Sequence, residues 1–218
     1  MDCALGWSGG KDSALALDRA LAAGLRVRFL FNIYDGRTGR LRFHGVRREL
    51  IAAQAQGLGL ELIQRPTGED GFEAAFLSIL DELADRSVGA VMFGNIHLAD
   101  VRAWYEERTV ARGFEHHEPL WGEPPVDLLA ELVRRGHRAV VVSIDLRLGR
   151  RGWLGRELND DLIEEIRSHD SVDPCGERGE YHTFVFAGPL LARPLSLKAA
   201  AHHEQEGHLQ LDLTLDDE

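Results

Sequence analysis

Short apolar runs alternate with amphipathic segments along the first half of the chain. The runs that predict strands cover residues 4–7, 27–33, 58–64 and 88–93. Between them, apolar positions recur at helical spacing, most clearly in the stripe from Phe72 to Leu83. Because strands and helices alternate in this way, the pattern predicts a parallel sheet with right-handed crossovers, which is a doubly wound α/β layer.

The pattern changes where two consecutive prolines, Pro124 and Pro125, stop both helix and sheet. The segments predicted beyond them are a helix (126–135), a strand (139–146), a helix (157–169) and a strand (181–186). Leucines at every second position from Leu209 to Leu215 predict a half-buried edge strand. We therefore predict one domain over residues 1–124 and a smaller α+β domain over residues 125–218.

Composition narrows the class of protein. The chain has 218 residues with 25 Lys+Arg and 36 Asp+Glu, for a net charge of −11. An acidic chain is a poor sequence-independent binder of nucleic acid, because that affinity depends on basic residues. No apolar run is long enough to span a membrane, and the N-terminus lacks the pattern of a secretion signal. Two cysteines exclude a disulfide framework, so we predict a cytoplasmic protein.

A glycine turn between the first predicted strand and helix carries the strongest chemical signal, with the sequence Ser-Gly-Gly-Lys-Asp-Ser at residues 8–13. Gly9 and Gly10 have no Cβ to obstruct approach to the backbone N–H groups. The following helix adds its positive N-terminal end, and Lys11 adds a cation. The turn therefore predicts a polyphosphate site, and the alternative is a helix-capping turn with no ligand.

The remaining polar residues of the turn are candidates for supporting roles. Ser8 and Ser13 offer hydroxyl groups, and Asp12 is a candidate to hold Mg²⁺ indirectly or to orient the loop. The turn is not a Walker A motif, because Leu5 stands where the first glycine is required and Asp12 stands where Ser or Thr is required.

A second candidate segment covers residues 173–184, where a turn-rich loop leads into a predicted strand. If the strand begins at Glu180, this carboxylate and the His182 imidazole share one face. Such a pair can transfer protons near neutral pH, and Glu177 adds another anionic group. On spacing alone, a solvated loop with clustered charges is the more frequent case.

Both segments resemble motifs of known families. Ser-Gly-Gly-Lys-Asp-Ser resembles the PP-loop of the N-type ATP pyrophosphatases, the adenine nucleotide α-hydrolase-like group. Cys-Gly-Glu-Arg-Gly-Glu-Tyr-His-Thr at residues 175–183 resembles the signature of the diphthine–ammonia ligase family, which carries the same glycine turn. The likeness covers most of the chain, since it extends to residues 44–46, 54–60, 93–96, 102–104, 119–122 and 154–156.

The resemblance implies a Rossmann-like fold of the HUP type and an AMP-forming, ATP-dependent ligase with Mg²⁺. Such an enzyme adenylates a carboxylate, transfers ammonia or an amine to it, and releases AMP and pyrophosphate. Residues 1–124 would then bind ATP, and residues 125–218 would bind the carboxylate acceptor.

The resemblance also implies roles for particular residues. Those expected to bind the nucleotide are Ser8, Gly9, Gly10, Lys11, Asp12, Ser13, Asn32 and Gly94. Those expected to bind the acceptor are His44, Arg102, Glu177, Gly179, Glu180, His182 and Thr183. Those expected to be catalytic are Lys11, Asp12, Glu180 and His182, with Asp12 also as the indirect Mg²⁺ ligand.

Two departures from the family pattern leave the acceptor open. Arg178 stands where Asn is common, and Asn95 stands where bacterial relatives often have Asp. Heavy use of Ala, Gly and Arg hints at a bacterial source, whereas diphthine belongs to archaeal and eukaryotic elongation factor 2. Two other hypotheses are an ATP- or AMP-binding module without turnover and a tRNA-modifying PP-loop enzyme. The acidic charge and the lack of paired cysteines count against the tRNA hypothesis, and self-association is a hypothesis from resemblance alone.

Overall fold

The computed structural model describes residues 1–42, 44–205 and 207–216. Within them the chain forms a larger and a smaller β-sheet with flanking helices. The strands are β1 (Asp2–Gly6), β2 (Arg26–Asp35), β3 (Arg40–Leu41), β4 (Glu61–Thr67), β5 (Val88–Met92), β6 (Glu115–His117), β7 (Arg138–Asp145), β8 (Tyr181–Ala187), β9 (Leu197–Gln205) and β10 (His208–Leu215). The α-helices are α1 (Lys11–Ala22), α2 (Arg48–Leu58), α3 (Phe72–Asp85), α4 (Ala99–Val110), α5 (Pro125–Arg134) and α6 (Asp160–Arg167).

The larger sheet has parallel strands in the order β4-β2-β1-β5-β6, with the short β3 antiparallel to the end of β2. The chain progresses from β1 outward to β4 and then returns to the other side of β1 with β5. This order reverses between β1 and β5, and open α/β sheets bind ligands at such a reversal, outside the carboxyl ends of the strands. The predicted doubly wound α/β fold is confirmed.

Helices cover both faces of the larger sheet because successive side chains of a strand point to opposite sides. On β2, Phe29 and Phe31 pack with the apolar face of α3. Leu30 belongs to the other cluster, which includes residues of α1 and α2 and continues into the smaller sheet through Val141 and Phe184. The two sheets therefore share one apolar cluster, and a domain boundary at residues 124/125 stays a prediction.

The smaller sheet is antiparallel, with the order β8-β7-β10-β9. The prediction of an edge strand at residues 209–215 is wrong, because β10 lies between β7 and β9. Alternating leucines indicate one buried face, but they do not indicate whether both edges of a strand are hydrogen-bonded. The strand at the edge next to β10 is β9, which was not predicted from the sequence because its exposed Ala- and His-rich residues show no alternation.

A buried carboxylate ties the smaller sheet to the larger one. Asp212 on β10 accepts hydrogen bonds from Arg40 of β3 at 2.7 Å and from Arg47, next to α2, at 2.8 and 2.6 Å. Arg40 also donates to the backbone carbonyl of Gly45 at 2.7 Å, so the pair holds the loop that follows β3. Hydrogen bonds from Arg47 and Arg40 outweigh burial and lower the pKa of Asp212 to about 2.

We expect Asp212→Asn to lower the free energy of unfolding by about 2 kcal/mol at pH 7, because it removes the charge that both arginines hold. Since the folded-state pKa is depressed, this stabilisation is complete above the usual aspartate pKa and is lost as the pH falls through about 2. Urea unfolding at pH 7 and pH 3 measures both effects. Asp216→Asn, at an exposed position after the same strand, is the control. The assignment would be contradicted if the free energies of unfolding of Asp212→Asn and Asp216→Asn differed as much at pH 3 as at pH 7.

Candidate functional site

A cleft of about 290 Å³ opens at the carboxyl ends of β1, β2 and β5, where the strand order reverses. One part of its wall is aromatic, and the rest carries the polar groups expected from the sequence. The polar and charged residues that line it include Ser8, Lys11, Asp12, Ser13, Asn32, Arg42, His44, Asn95, Glu177 and His182. The aromatic residues are Trp7, Phe31, Phe72, Phe76, Phe93 and Tyr105.

The glycine turn takes its shape from the residues behind it. Gly9 has a φ of +77°, which is left-handed, and a Cβ there would lie 2.5 Å from the side-chain oxygen of Gln54. A Cβ on Gly10 would lie 3.0 Å from the carbonyl oxygen of Thr183. Neither glycine lines the cleft within the described residues. Glycine is therefore required at both positions because a side chain would collide with Gln54 or with Thr183. This reason was not predicted from the sequence.

Gln54 is the buried residue that fixes this turn, and it is 1% exposed. Its side-chain nitrogen donates to the carbonyl oxygens of Gly9 at 2.9 Å and Val185 at 2.6 Å, while its oxygen accepts from the Trp7 indole at 2.8 Å. Sequence reasoning did not assign it a role. The signal in the sequence for such a role is the position of this glutamine, which lies next to Ala55 in the buried stripe of α2.

Strand β8 holds the turn from the other side. The Thr183 hydroxyl accepts a hydrogen bond from the Lys11 backbone N–H at 3.0 Å, and the Val185 N–H donates to the carbonyl of Gly9 at 2.9 Å. Thr183, predicted to bind the acceptor, therefore supports the turn and is buried beneath it. The hydroxyls of Ser8 and Ser13 lie 3.2 Å apart across the turn.

Lys11 and Asp12 form a close ion pair beside the turn. The Lys11 ammonium lies 2.9 Å from the Asp12 carboxylate and 4.9 Å from the centre of the Tyr181 ring. Burial opposes the charge of Lys11, but the adjacent carboxylate outweighs it and the pKa of Lys11 is raised above its usual value. Burial raises the pKa of Asp12, against the effect of Lys11. Lys11 is therefore a charged group that is desolvated next to the cleft.

Gly94 brings the end of β5 directly against the first turn of α1. A Cβ at this position would lie 2.9 Å from the carbonyl carbon of Asp12 and 3.1 Å from the backbone nitrogen of Ser13. Asn32, in the second half of β2, also lines the cleft. Of the two predicted nucleotide residues, Gly94 therefore lies against the glycine turn, and Asn32 lines the same cleft.

Two predicted acceptor residues, His44 and His182, meet in the cleft with their ring centres 4.2 Å apart. His44 lies on the loop after β3 and His182 on β8, so each sheet contributes one ring. Burial, with the nearby Lys11 charge, lowers the pKa of His44 to about 4. Burial, with the His44 and Lys11 charges, lowers the pKa of His182 well below its usual value. Both imidazoles are neutral at pH 7.

Glu177 joins the segment before β8 to the start of α4. Its carboxylate accepts from the backbone N–H groups of Ile96, His97 and Leu98 at 3.2, 3.0 and 3.3 Å. An anion at this position is favoured by the positive end of the helix. Burial raises the pKa of Glu177. The side chain lines the cleft and also anchors the loop that carries it.

Other residues expected in the site lie outside the cleft lining in the described part of the chain. Glu180 is 1% exposed and accepts from the backbone N–H groups of Asp173 and Arg178 at 2.9 and 3.1 Å. It precedes β8, so it does not share the cleft face with His182. Gly179, with a φ of +91°, forms the adjacent turn.

Arg102 also lies away from the cleft lining in the described residues. Its guanidinium lies 4.6 Å from the Trp121 ring centre, and its Nε lies 3.6 Å from Glu118. The buried Glu118 accepts from the Asn95 amide at 2.8 Å. Arg102 is therefore connected to the cleft lining indirectly, through Glu118 and then Asn95.

The described residues contain no group of three or more His, Cys, Asp or Glu side chains that could hold a metal ion. Among the same residues, no helix has the length and apolar character required to cross a membrane.

Comparisons with known proteins extend over both halves of the chain. A family model described as the diphthamide synthase N-terminal domain matches residues 1–114, and one described as the C-terminal domain matches residues 124–214. The diphthine–ammonia ligase of Danio rerio is 24% identical, over 88% of this chain and 84% of its own length. The human diphthine–ammonia ligase is 26% identical, over 86% of this chain and 79% of its own length.

Similarity to a solved structure is weaker. A protein from Methanocaldococcus jannaschii, described as a predicted subunit of tRNA methyltransferase, superposes with a TM-score of 0.48 at 16% identity. The match covers 87% of this chain and 98% of that chain.

We expect Gln54→Leu to lower the free energy of unfolding by roughly 3 kcal/mol, because it leaves two buried carbonyls and the Trp7 indole without their partner. Urea denaturation followed by tryptophan fluorescence measures the loss. The control is Gln56→Leu, at an exposed position of the same helix. Equal stability of the two variants would show that Gln54 does not hold the turn.

Proposed function

The chain belongs to the diphthine–ammonia ligase family, and we propose that it uses ATP to activate a carboxylate and to join it to ammonia or an amine. One observation carries this proposal. The glycine turn and the His182–Glu177 segment, which are far apart in sequence, face the same cleft where the strand order reverses.

The triphosphate of ATP is proposed to lie against residues 8–13. The positive end of α1 and the charged Lys11 favour an anion there. The Lys11 backbone N–H is already used by Thr183, so the Lys11 side chain and the remaining groups of the turn would provide the contacts. In this scheme residues 1–124 bind ATP and residues 125–218 bind the acceptor.

Mg²⁺ is proposed to accompany ATP, with Asp12 as its protein carboxylate. Mg²⁺ prefers oxygen ligands and usually takes most of them from phosphate and water, with one or two from carboxylates. Asp12 lines the cleft beside the turn, whereas Glu177, the other carboxylate in the described lining, already accepts three backbone N–H groups. With Asp12 as the single protein carboxylate, the ion would be held mainly by phosphate and water oxygens.

The proposed reaction has two steps. A carboxylate oxygen of the acceptor attacks the α-phosphorus, and the bond to the β-phosphate oxygen breaks to release pyrophosphate. The nitrogen nucleophile then attacks the acyl carbon, AMP leaves, and the nitrogen loses a proton. The imidazole of His182, which lines the cleft beside His44, is the proposed proton acceptor because of its position. Positioning and electrostatic stabilisation by Lys11 would supply most of the rate enhancement.

The function is tested by incubating the protein with Mg-ATP, ammonium and a panel of carboxylates, including acidic peptides and amino acids. We expect AMP and pyrophosphate in equal amounts, formed only when an acceptor is present, and chromatography of the nucleotides measures them. Formation of ADP and phosphate would contradict an AMP-forming ligase. Tight ATP binding without AMP from any acceptor would favour a nucleotide-binding module without turnover.

Lys11→Gln is expected to reduce AMP formation by at least about 100-fold, because it removes the desolvated cation next to the proposed triphosphate. The chain offers a matched control in Lys198→Gln, since Lys198 is its only other lysine and lies exposed on β9. Initial rates and melting temperatures are measured for both variants. Comparable rates for the two folded variants would exclude a role for Lys11.

A further inference from the structure

Arg42 brings a positive charge without a counter-charge to the lining of the cleft. The half-buried residue follows β3, and its guanidinium donates to the backbone carbonyl of Glu69 at 3.0 Å. Among the residues that the structure describes, no carboxylate lies within ion-pair distance of it. A guanidinium is always charged in a folded protein, so its other N–H groups are available to an anion.

The arginines on either side of Arg42 are arranged differently. Arg40 and Arg47 both pair with the Asp212 carboxylate, at 2.7 and 2.6 Å. The chain has 36 Asp+Glu and 25 Lys+Arg, so carboxylates are in excess over cations. An arginine that lines a cleft and is left without one of these carboxylates indicates that a ligand supplies the anion.

The loop that carries Arg42 is fixed to the fold. Leu41 is 5% exposed, and its backbone N–H donates to the carbonyl of Val46 at 2.8 Å. The same loop carries His44, whose ring centre lies 4.2 Å from that of His182. Arg42 therefore belongs to the part of the lining that meets the smaller sheet.

Arg42 and the glycine turn lie at different strands of the larger sheet. Glu69, which holds the guanidinium, follows β4, whereas the turn follows β1, and β2 lies between these two strands. Neighbouring strands are about 4.8 Å apart, so about 10 Å separates the ends of β4 and β1. The cation beside the turn is Lys11, which pairs with Asp12. The cleft therefore offers an anion a second place, apart from the proposed triphosphate site.

We propose that Arg42 binds the carboxylate of the acceptor. This inference rests on the proposed function, which requires a carboxylate in the cleft together with ATP. The N–H groups of a guanidinium form a planar fork that matches the two oxygens of a carboxylate. Residues 1–124 would then share in acceptor binding, which the resemblance assigns to residues 125–218. A phosphate of ATP is the other oxyanion that a guanidinium binds, and the test separates the two.

Calorimetry tests the assignment with two kinds of probe. One is ATP, and the other is a series of carboxylates, from acetate and glutarate to acidic dipeptides, added to protein saturated with a non-hydrolysable ATP analogue. We expect Arg42→Gln to bind the tightest of these carboxylates about tenfold more weakly, with less than a twofold change in the affinity for ATP. The matched control is Arg37→Gln, at an exposed position between β2 and β3 and outside the described lining, which should bind both probes like the wild type.

Three results would overturn the inference. The first is a wild type that binds none of the carboxylates. The second is Arg42→Gln with unchanged affinity for the carboxylate. The third is a loss of affinity for ATP without a loss for the carboxylate, which would assign Arg42 to a phosphate.

A role limited to the contact with Glu69 makes a different prediction, because it involves no ligand charge. Arg42→Lys keeps the charge but not the fork, so we expect it to bind the carboxylate only about threefold more weakly than the wild type. Added KCl should weaken carboxylate binding more steeply in the wild type than in Arg42→Gln, since salt screens the pair. Equal salt dependence, or a lower melting temperature of Arg42→Gln as its only change, would show that Arg42 is structural.

The proposed function and this inference fail in different ways. If carboxylates bind through Arg42 but none of them yields AMP, the proposed function fails, whereas Arg42 remains a carboxylate site. If AMP forms and the KM for the carboxylate is the same in the wild type and in Arg42→Gln, only the inference about Arg42 is overturned.

Discussion

The glycine turn of residues 8–10 depends on two buried side chains that hold it from behind. Gln54 bonds to the carbonyl of Gly9, and Thr183 accepts from the first amide of α1. Gln54 comes from the larger sheet's helix α2 and Thr183 from the smaller sheet, so the turn forms only when both sheets pack together. The phosphate site that we propose is therefore a product of the whole fold and not of a local motif.

The same packing assembles the rest of the cleft. His44 and His182 reach each other from different sheets, and Glu177 anchors its own loop to the start of α4. Asp212 holds the loop that carries His44 through Arg40. The contacts of His44 with His182 and of Glu177 with the start of α4 each join a cleft residue to an element far away in sequence. The cleft wall is thus built from contacts that also stabilise the fold, so substitutions behind it are expected to affect binding and stability together.

Electrostatics separates the cleft into parts with different chemistry. The buried Lys11 keeps its charge because Asp12 lies beside it, whereas the same burial keeps His44 and His182 neutral. The cation at one end suits the binding of an anion, and the neutral imidazoles nearby add no further charge. A third part of the cleft is aromatic, where Phe93 stacks on Tyr105 with ring centres 4.3 Å apart.

The strand–helix alternation could be predicted from the amino-acid order, as could the position of the glycine turn and the two motifs that meet in the cleft, because periodicity and glycine spacing are local properties. It located β4 three residues early, since Leu58 ends α2 and Gly59 caps it. Three features could be recognised only in the folded chain: β10 is an inner strand, Glu180 faces its own loop and Gln54 supports the turn. These features depend on strand pairing and on hydrogen-bond partners that are distant in the chain. The spacing of residues along the sequence indicates neither.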